Sequence, residues 1–443
     1  MKPKPEPSPR GDIDETTVDS LNFDGRGVGR KDGKTIFLED AIPGESVRFR
    51  YHDKRRTYDT GRTLSVLRAS QDRVVPRCVY FGTCGGCRLQ HMEAAAQARA
   101  KQQIVAEALE HIGGFQPARW LDVVSGPIWH YRRRARLSAR LVPKKGGLLL
   151  GFREKRSSYI TNLDSCLTLR AEVSSLLPEL RELIAGLSCP HRVPQIEVAV
   201  GDNATAFVIR HLEVLTEADR GILSRFSANH GIHLYLQPNV VDSIELLHPV
   251  DACVLEYGLP EFGLSLEFLP TDFVQVNDAV NRRMVSQAVA LLDAQRGDRI
   301  LDLFCGLGNF TLPLARRAQQ VTGIDADAAL IDRARGNALK NKIENVVFAQ
   351  ADLYDDSAGY RPWDGDYNKL LLDPPRTGAI EAVKSLRDPY PTHILYVSCY
   401  PATLARDGRY LVDALGYRLQ AAGVVDMFPH TSHVETMALF IRS

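Results

Sequence analysis

The sequence predicts a multidomain α/β protein: a small N-terminal β-barrel, a central α+β domain with a cysteine-rich loop, and a C-terminal doubly wound α/β domain. Length is the first indication, because 443 residues at roughly 150 per domain imply about three domains. Hydrophobic patterning is the second. It passes from short strands broken by glycine to mixed strands and helices and, from about Asp298, to apolar strands alternating with helices. A content of 44% hydrophobic and 25% charged residues is the third, and places the chain among folded proteins rather than disordered or fibrous ones.

Residues 1–12 are Pro, Lys and Glu without periodicity and read as a disordered tail. In 13–72, short alternating runs such as Thr35-Ile36-Phe37-Leu38 and Ser46-Val47-Arg48-Phe49-Arg50 are separated by Gly25, Gly27, Gly29, Gly33 and Gly44. Helical spacing is absent, so an OB-like closed barrel of about five strands is the economical arrangement. Residues 73–92 form a glycine-rich loop with three cysteines, and Met92 to His111 reads as a helix. The central domain, 93–268, carries strands near 195–200, 206–209 and 232–236 around a helix near 217–229. In 269–443, apolar strands at 299–304, 321–325, 346–348, 369–373 and 394–398 are spaced by helix-length crossovers, which predicts a Rossmann-like parallel sheet covered on both faces.

With 55 Lys and Arg against 54 Asp and Glu the net charge is +1, so any nucleic-acid footprint has to be local. No stretch approaches the roughly 20 apolar residues of a membrane span. The N-terminus lacks the apolar core of a secretory signal, and a cytoplasmic location is expected. Eight cysteines are too sparse for a disulfide scaffold.

Asp302 and Phe304-Cys305-Gly306-Leu307-Gly308-Asn309 stand where the first strand of the last domain becomes a helix. The full dinucleotide fingerprint is missing, since Thr311 takes the third glycine's place, and no Gly-Lys-Ser/Thr follows to make a P-loop. Asp325 and Asp352 end the next two strands, where carboxylates can accept from a ribose diol. Acids at successive strand ends without a phosphate clamp suit a nucleoside cofactor such as S-adenosylmethionine. A lone GxG would be only a tight turn.

The fourth and fifth strands end in Asp373-Pro374-Pro375-Arg376 and Ser398-Cys399-Tyr400-Pro401, at the edge where such folds place chemistry. Alone, Cys399 would read as a small buried hydrophobe. A thiolate that adds to C6 of uracil makes C5 nucleophilic, and the C5 proton then needs a base. Glu435, just before the apolar run 437–441, supplies a carboxylate. His430 and His433 read as structural.

Cys78, Cys84 and Cys87 offer three soft ligands on a flexible loop. His91 would complete a zinc site, and the distant Cys166 would complete an iron-sulfur site. Between His130 and Ser157 ten Lys and Arg face one acid, Glu154. Arg132, Arg134, Arg136 and Arg140 alternate on one side of an expected strand, a pattern that fits phosphate contacts or a solvated face. Lys54 and Arg55 add charge on the barrel.

The segments DPPRTG (373–378), LYVSCYPAT (395–403), VDMFPHTSHVE (425–435) and FCGLGNFTLPLA (304–315) resemble the signatures of the RNA 5-methyluridine methyltransferase family and cover most of the last domain. The resemblance implies that Cys399 is the nucleophile and Glu435 the proton acceptor, and that Gln275, Phe304, Asn309, Asp325, Asp352 and Asp373 contact S-adenosylmethionine. One departure is visible: Tyr400 follows the nucleophile where the family usually has asparagine. CVYFGTCGGCRLQH is similar to the family's cluster loop, which implies a [4Fe-4S] cluster on Cys78, Cys84, Cys87 and Cys166. The N-terminal barrel resembles a TRAM domain. Together, barrel, cluster and catalytic domain resemble the branch acting on uridine 1939 of 23S rRNA, as a monomer with no obligate protein partner. Another rRNA or tRNA uridine is the nearest alternative, and a non-enzymatic RNA-binding or assembly factor the other.

Overall fold

Alternation of inward apolar and outward polar residues builds the first sheet. In the computed structural model, which describes residues 11–238, 244–355 and 364–442, β1 (Ile13–Leu21), β2 (Gly27–Lys31), β3 (Lys34–Glu39), β4 (Ser46–Lys54) and β5 (Tyr58–Arg68) close into a barrel in the order β1-β2-β3-β5-β4. Antiparallel pairing from Ile13↔Arg50 to Thr17↔Ser46 makes the closure, so the pattern-based expectation holds. Val18, Ile36, Leu38, Val47 and Phe49 fill the interior, and each such side chain contributes about 1.5–3 kcal/mol on burial. Gly61 is required by packing: a Cβ there would lie 2.8 Å from the Phe49 ring. The expected tail 1–12 lies outside the described residues as far as residue 10.

The chain packs as two units. One holds the chain up to Ile104 together with Phe428–His433, and the other holds Val105–Met427 with the chain from Val434 onward. In the first, the barrel leads into a series of turns over 76–92 and then into α1 (Ala94–Ala108).

The second unit opens with β6 (Arg119–Trp120), β7 (Arg134–Val142) and β8 (Gly147–Gly151), then α2 (Ala171–Ser175) and α3 (Leu177–Ala185). There follow β9 (Gln195–Val200), β10 (Thr205–Arg210), α4 (Glu217–His230), β11 (Ile232–Gln237) and β12 (Glu245–His248). Among the described residues these strands form a sheet of order β12-β11-β10-β9-β7-β8, with α3 packed on β8 and α4 on β11. A hairpin of β13 (Leu255–Leu259) and β14 (Leu264–Phe268) leads to α5 (Asp278–Leu292), capped by Asn277, whose side chain accepts from the Val280 N–H.

The last sheet comprises β15 (Arg299–Leu303), α6 (Thr311–Ala315), β16 (Gln320–Asp325), α7 (Ala328–Lys340), β17 (Val346–Gln350), β18 (Lys369–Leu372), α8 (Ile380–Lys384), β19 (His393–Ser398), α9 (Pro401–Asp413), β20 (Arg418–Val425) and β21 (Glu435–Ile441). Its order is β17-β16-β15-β18-β19-β21-β20-β6. The first five strands are parallel, as expected from their continuous apolar runs. The sheet is nevertheless mixed, because β21 inserts antiparallel between β19 and β20.

Candidate active site

The register of β19 against β21 brings the expected nucleophile and the expected base together. Ser398 pairs with Thr436, so one further step of the antiparallel ladder sets Cys399 opposite Glu435. Both line a cavity of about 510 Å3 at the carboxyl ends of the parallel strands, together with Gln275, Phe304, Asn309, Asp325 and Asp373. The backbone around Cys399 is fixed: the Tyr400 N–H donates to Ser398 Oγ at 3.2 Å, and Thr403 Oγ1 donates to the Tyr400 carbonyl at 3.0 Å. Pro401 then starts α9, where a missing N–H costs nothing.

The facing loop, 373–379, is held from behind. The Ala379 N–H donates to Asp407 Oδ2 at 2.7 Å, Arg406 donates to the Thr377 carbonyl at 2.8 Å, and Tyr354 Oη donates to the Gly378 carbonyl at 2.9 Å. Arg376 on this loop also lines the cavity.

At the cofactor end, Phe304 directly follows β15 with φ +66, a left-handed conformation sparsely adopted by aromatic residues and typical of functional turns. Gly306 and Gly308 carry the turn onward at φ +53 and +95. Asp325 is a backbone organiser: its Oδ2 accepts from the Gly306 N–H at 2.9 Å and its Oδ1 from the Asp327 N–H at 3.0 Å, leaving further lone pairs toward the cavity. Asn309 is locked by reciprocal 3.0 Å bonds with Asn281 and by Tyr257 Oη, which donates to its Oδ1 at 3.0 Å. The aromatic rings of Phe304 and Tyr354 lie 5.8 Å apart.

The pocket is acidic. Burial, with Asp325 nearby, pushes the Asp373 carboxyl up to about 7. Burial likewise pushes Asp302 up to about 8 against the bond from Thr311. The Cys399 thiol is pushed up to about 11, first by burial, then by the Glu435 and Asp373 carboxylates, with Arg376 opposing. The resting nucleophile is therefore a thiol that has to lose its proton as it attacks.

Other expected residues fall elsewhere. Asp352 is exposed and does not line the cavity; its Oδ1 accepts from the Tyr354 N–H at 2.9 Å. Cys78, Cys84 and Cys87 are half-buried in the first unit and Cys166 is half-buried in the second. His91 is buried with its ring 5.3 Å from that of Phe81. The donors fit soft-metal chemistry, but among the described residues no three His, Cys, Asp or Glu are gathered to hold a metal ion. Arg134, Arg136 and Arg140 do share one face of β7. Arg134 is largely buried, donates to the Asp272 carbonyl and pairs with Glu197 at 3.8 Å; Arg136 pairs with the same carboxylate at 3.0 Å. Arg140 is exposed, and Arg132 is half-buried just before β7, its N–H donating to the Thr168 carbonyl at 2.8 Å. On the barrel Lys54 pairs with Asp12 and Arg55 with Asp53 on the surface. Among the described residues no helix is long and apolar enough to cross a membrane.

The sequence reading missed Tyr257 and Asn281, which orient Asn309. A signal existed for Asn281, a polar residue on the otherwise apolar face Val280, Met284, Val285, Ala288 of α5. Tyr257 sits on a hairpin 52 residues from its partner and left no local trace.

A tight glycine turn after the first parallel strand, and a cavity beside it at the carboxyl ends of the sheet, mark the site of a methyltransferase. Residues 263–443 match the family described as tRNA (Uracil-5-)-methyltransferase. The chain is 48% identical over 429 residues to the 23S rRNA (uracil(1939)-C(5))-methyltransferase RlmD of Alkalilimnicola ehrlichii, covering 97% of this chain and 96% of that protein. It is 49% identical over 429 residues to the protein of the same description from Nitrosococcus oceani, covering 96% and 95%. The crystal structure of Pyrococcus abyssi tRNA (uracil-54, C5)-methyltransferase with S-adenosyl-L-homocysteine superposes with a TM-score of 0.72 at 25% identity, over 97% of this chain and 100% of that one. The chain belongs to the 23S rRNA (uracil(1939)-C(5))-methyltransferase family.

Proposed function

We infer that the protein methylates C5 of a uridine in 23S rRNA, the one numbered 1939 in the names of its relatives, and produces 5-methyluridine. The observation that carries this reading is the β19–β21 register, which sets Cys399 against Glu435 inside the cavity lined by Gln275, Phe304, Asn309, Asp325 and Asp373. S-adenosylmethionine supplies the methyl group, and Gln275, Phe304, Asn309, Asp325, Asp352 and Asp373 are the residues assigned to it. Cys399 Sγ forms a bond to C6 as its proton passes to a base in the pocket, and the C5=C6 pair becomes available at C5. The pair at C5 takes the methyl group as its bond to the cofactor's sulfur breaks, S-adenosylhomocysteine is released, and Glu435 then takes the C5 proton. The C–H electrons restore C5=C6, and Sγ departs with its bonding pair. The uridine has to leave its stack to reach this depth, which the cost of unstacking, a few kcal/mol, permits.

A [4Fe-4S] cluster on Cys78, Cys84, Cys87 and Cys166 is part of the proposal and takes no part in the transfer. Soft thiolate donors and the family's loop support it, and anaerobic analysis giving four iron and four sulfide per chain is the expected result; one zinc without iron would overturn it. Residues 13–72 and 93–268, with Lys54, Arg55, Arg132, Arg136 and Arg140, are assigned to RNA, and the protein to the cytoplasm as a monomer; Arg134, buried against Glu197, is left out of that set. The decisive experiment maps 5-methyluridine in ribosomal RNA from cells with and without the gene and in transcripts treated with the purified protein. Product confined to tRNA would overturn the substrate, and turnover by Cys399→Ala would overturn the nucleophile.

A further inference from the structure

The segment Phe428–His433 runs straight into Val434 and Glu435, yet it packs in the first unit, against residues from three places in the chain. The His430 carbonyl accepts from the Arg88 N–H at 2.8 Å and the Leu89 N–H at 2.9 Å. Gln97 on α1, itself 1% exposed, grips His430 from both sides: its Oε1 accepts from the His430 N–H at 2.8 Å and its Nε2 lies 3.1 Å from Nδ1. The same Nε2 donates to the Leu89 and Met92 carbonyls at 3.0 and 2.8 Å. Lys101, one turn further on, is 1% exposed and donates to the Phe428 carbonyl at 3.0 Å. The barrel contributes Gly25, where a Cβ would stand 3.0 Å from Ser432 Cβ.

His430 is held at φ +66, a left-handed conformation that a side chain with a Cβ adopts only when its surroundings over-determine it. The clamp is that over-determination. A strained turn five residues from a catalytic carboxylate fixes where the following strand begins, and a shift of about 1 Å at a proton acceptor is enough to cost about 100-fold in rate. We propose that Gln97 and His430 are positioning residues for the base: the bonds that hold the segment 428–433 fix the chain leading directly into Glu435. The inference rests on the reading of Glu435 as the acceptor of the C5 proton.

That role has a signature that a general loss of stability does not share. Attack by Cys399 and methyl transfer precede proton removal, so a displaced Glu435 leaves methylated RNA bonded to the protein. Full-length protein is incubated with a 23S rRNA transcript and methyl-labelled S-adenosylmethionine, and the labelled protein–RNA adduct stable in detergent is measured beside turnover. Gln97→Met, close in shape and without the bonds to His430, should lower turnover at least tenfold and raise the adduct at least tenfold. His430→Asn, which tolerates the left-handed turn but loses the ring, should move both in the same direction by at least threefold. Turnover that is unchanged in both variants, or that falls with no rise in adduct, overturns the inference. Glu435→Gln separates the two readings: it should accumulate the adduct, and if it does not, the assignment of the base fails first.

Discussion

Replacing Glu435 with glutamine should make Cys399 more reactive toward a small alkylating reagent even as it stops turnover. In the wild-type pocket the thiol titrates at about 11, against an ordinary 9.0, because burial and the neighbouring Glu435 and Asp373 carboxylates all disfavour the anion. At pH 8 a thiol of that kind is thiolate in about one molecule in a thousand, against about one in ten for the ordinary group, a difference of about 100-fold. Burial is the largest cause and survives the substitution, so removing one carboxylate recovers only the smaller part, a gain of about two- to tenfold. The assay is the initial rate of iodoacetamide labelling between pH 7 and 10 without RNA, read at the Cys399 peptide by mass spectrometry because the chain has eight cysteines. Wild-type labelling with a midpoint at or below about 8.5, or slower labelling in Glu435→Gln, would refute the picture of a thiol held neutral by burial and, to a smaller extent, by the neighbouring carboxylates.

Asp302→Asn should flatten the dependence of stability on pH. The folded group titrates at about 8 and an unfolded aspartate at 3.8, so stability from this group is complete below about pH 4 and is lost as pH rises through about 8. The slope within that window is ~1.4 kcal/mol per pH unit, and urea unfolding of wild type and variant at pH 5 and 7 checks it. Asn309→Ala leaves Asn281 and Tyr257 without their partner and should weaken S-adenosylhomocysteine binding about tenfold by calorimetry, with little change in RNA affinity. Arg140→Ala should reduce the salt slope of rRNA binding by about 0.7–0.9, whereas Arg134→Ala should leave that slope nearly unchanged and lower stability by about 1–3 kcal/mol.

Those two arginines mark where the sequence stops being informative. Alternation along β7 is legible locally, and it correctly puts Arg134, Arg136 and Arg140 on one face. What lies across that face is set by β9, whose Glu197 is more than 60 positions away and turns Arg134 from an RNA contact candidate into a buried ion pair. The barrel was readable because each strand pairs with at least one sequence neighbour and alternates inward apolar with outward polar residues, although the β1–β4 closure and the β3–β5 pairing are not local. The parallel strands were readable because burial on both faces makes them apolar throughout. Asp352 follows the third strand as expected, and its Oδ1 caps its own turn by accepting from the Tyr354 N–H, a contact the sequence did not reveal. The hairpin at 255–268 and helix α5 escaped notice although they supply Tyr257 and Asn281, the pair that orients the cofactor-side amide.

The mixed sheet matters more for the site than the parallel one that patterning suggests. In a parallel sheet every carboxyl end lies on one edge, so Cys399 arrives there by following β19 to its end. A base on the next strand can reach that edge at the strand's last residue if the strand runs parallel, or at its first if it runs antiparallel. β21 runs antiparallel, and its first residue is Glu435; reversed, it would present Ile441 to the thiol. The ladder fixes which residue stands opposite the thiol, and because Glu435 is the strand's first residue, paired on one side to Val425, its fine placement also depends on the residues just before it. Substitutions in the 428–433 clamp should therefore alter the fate of the covalent adduct while the ladder from Thr436 to Ile441 stays intact.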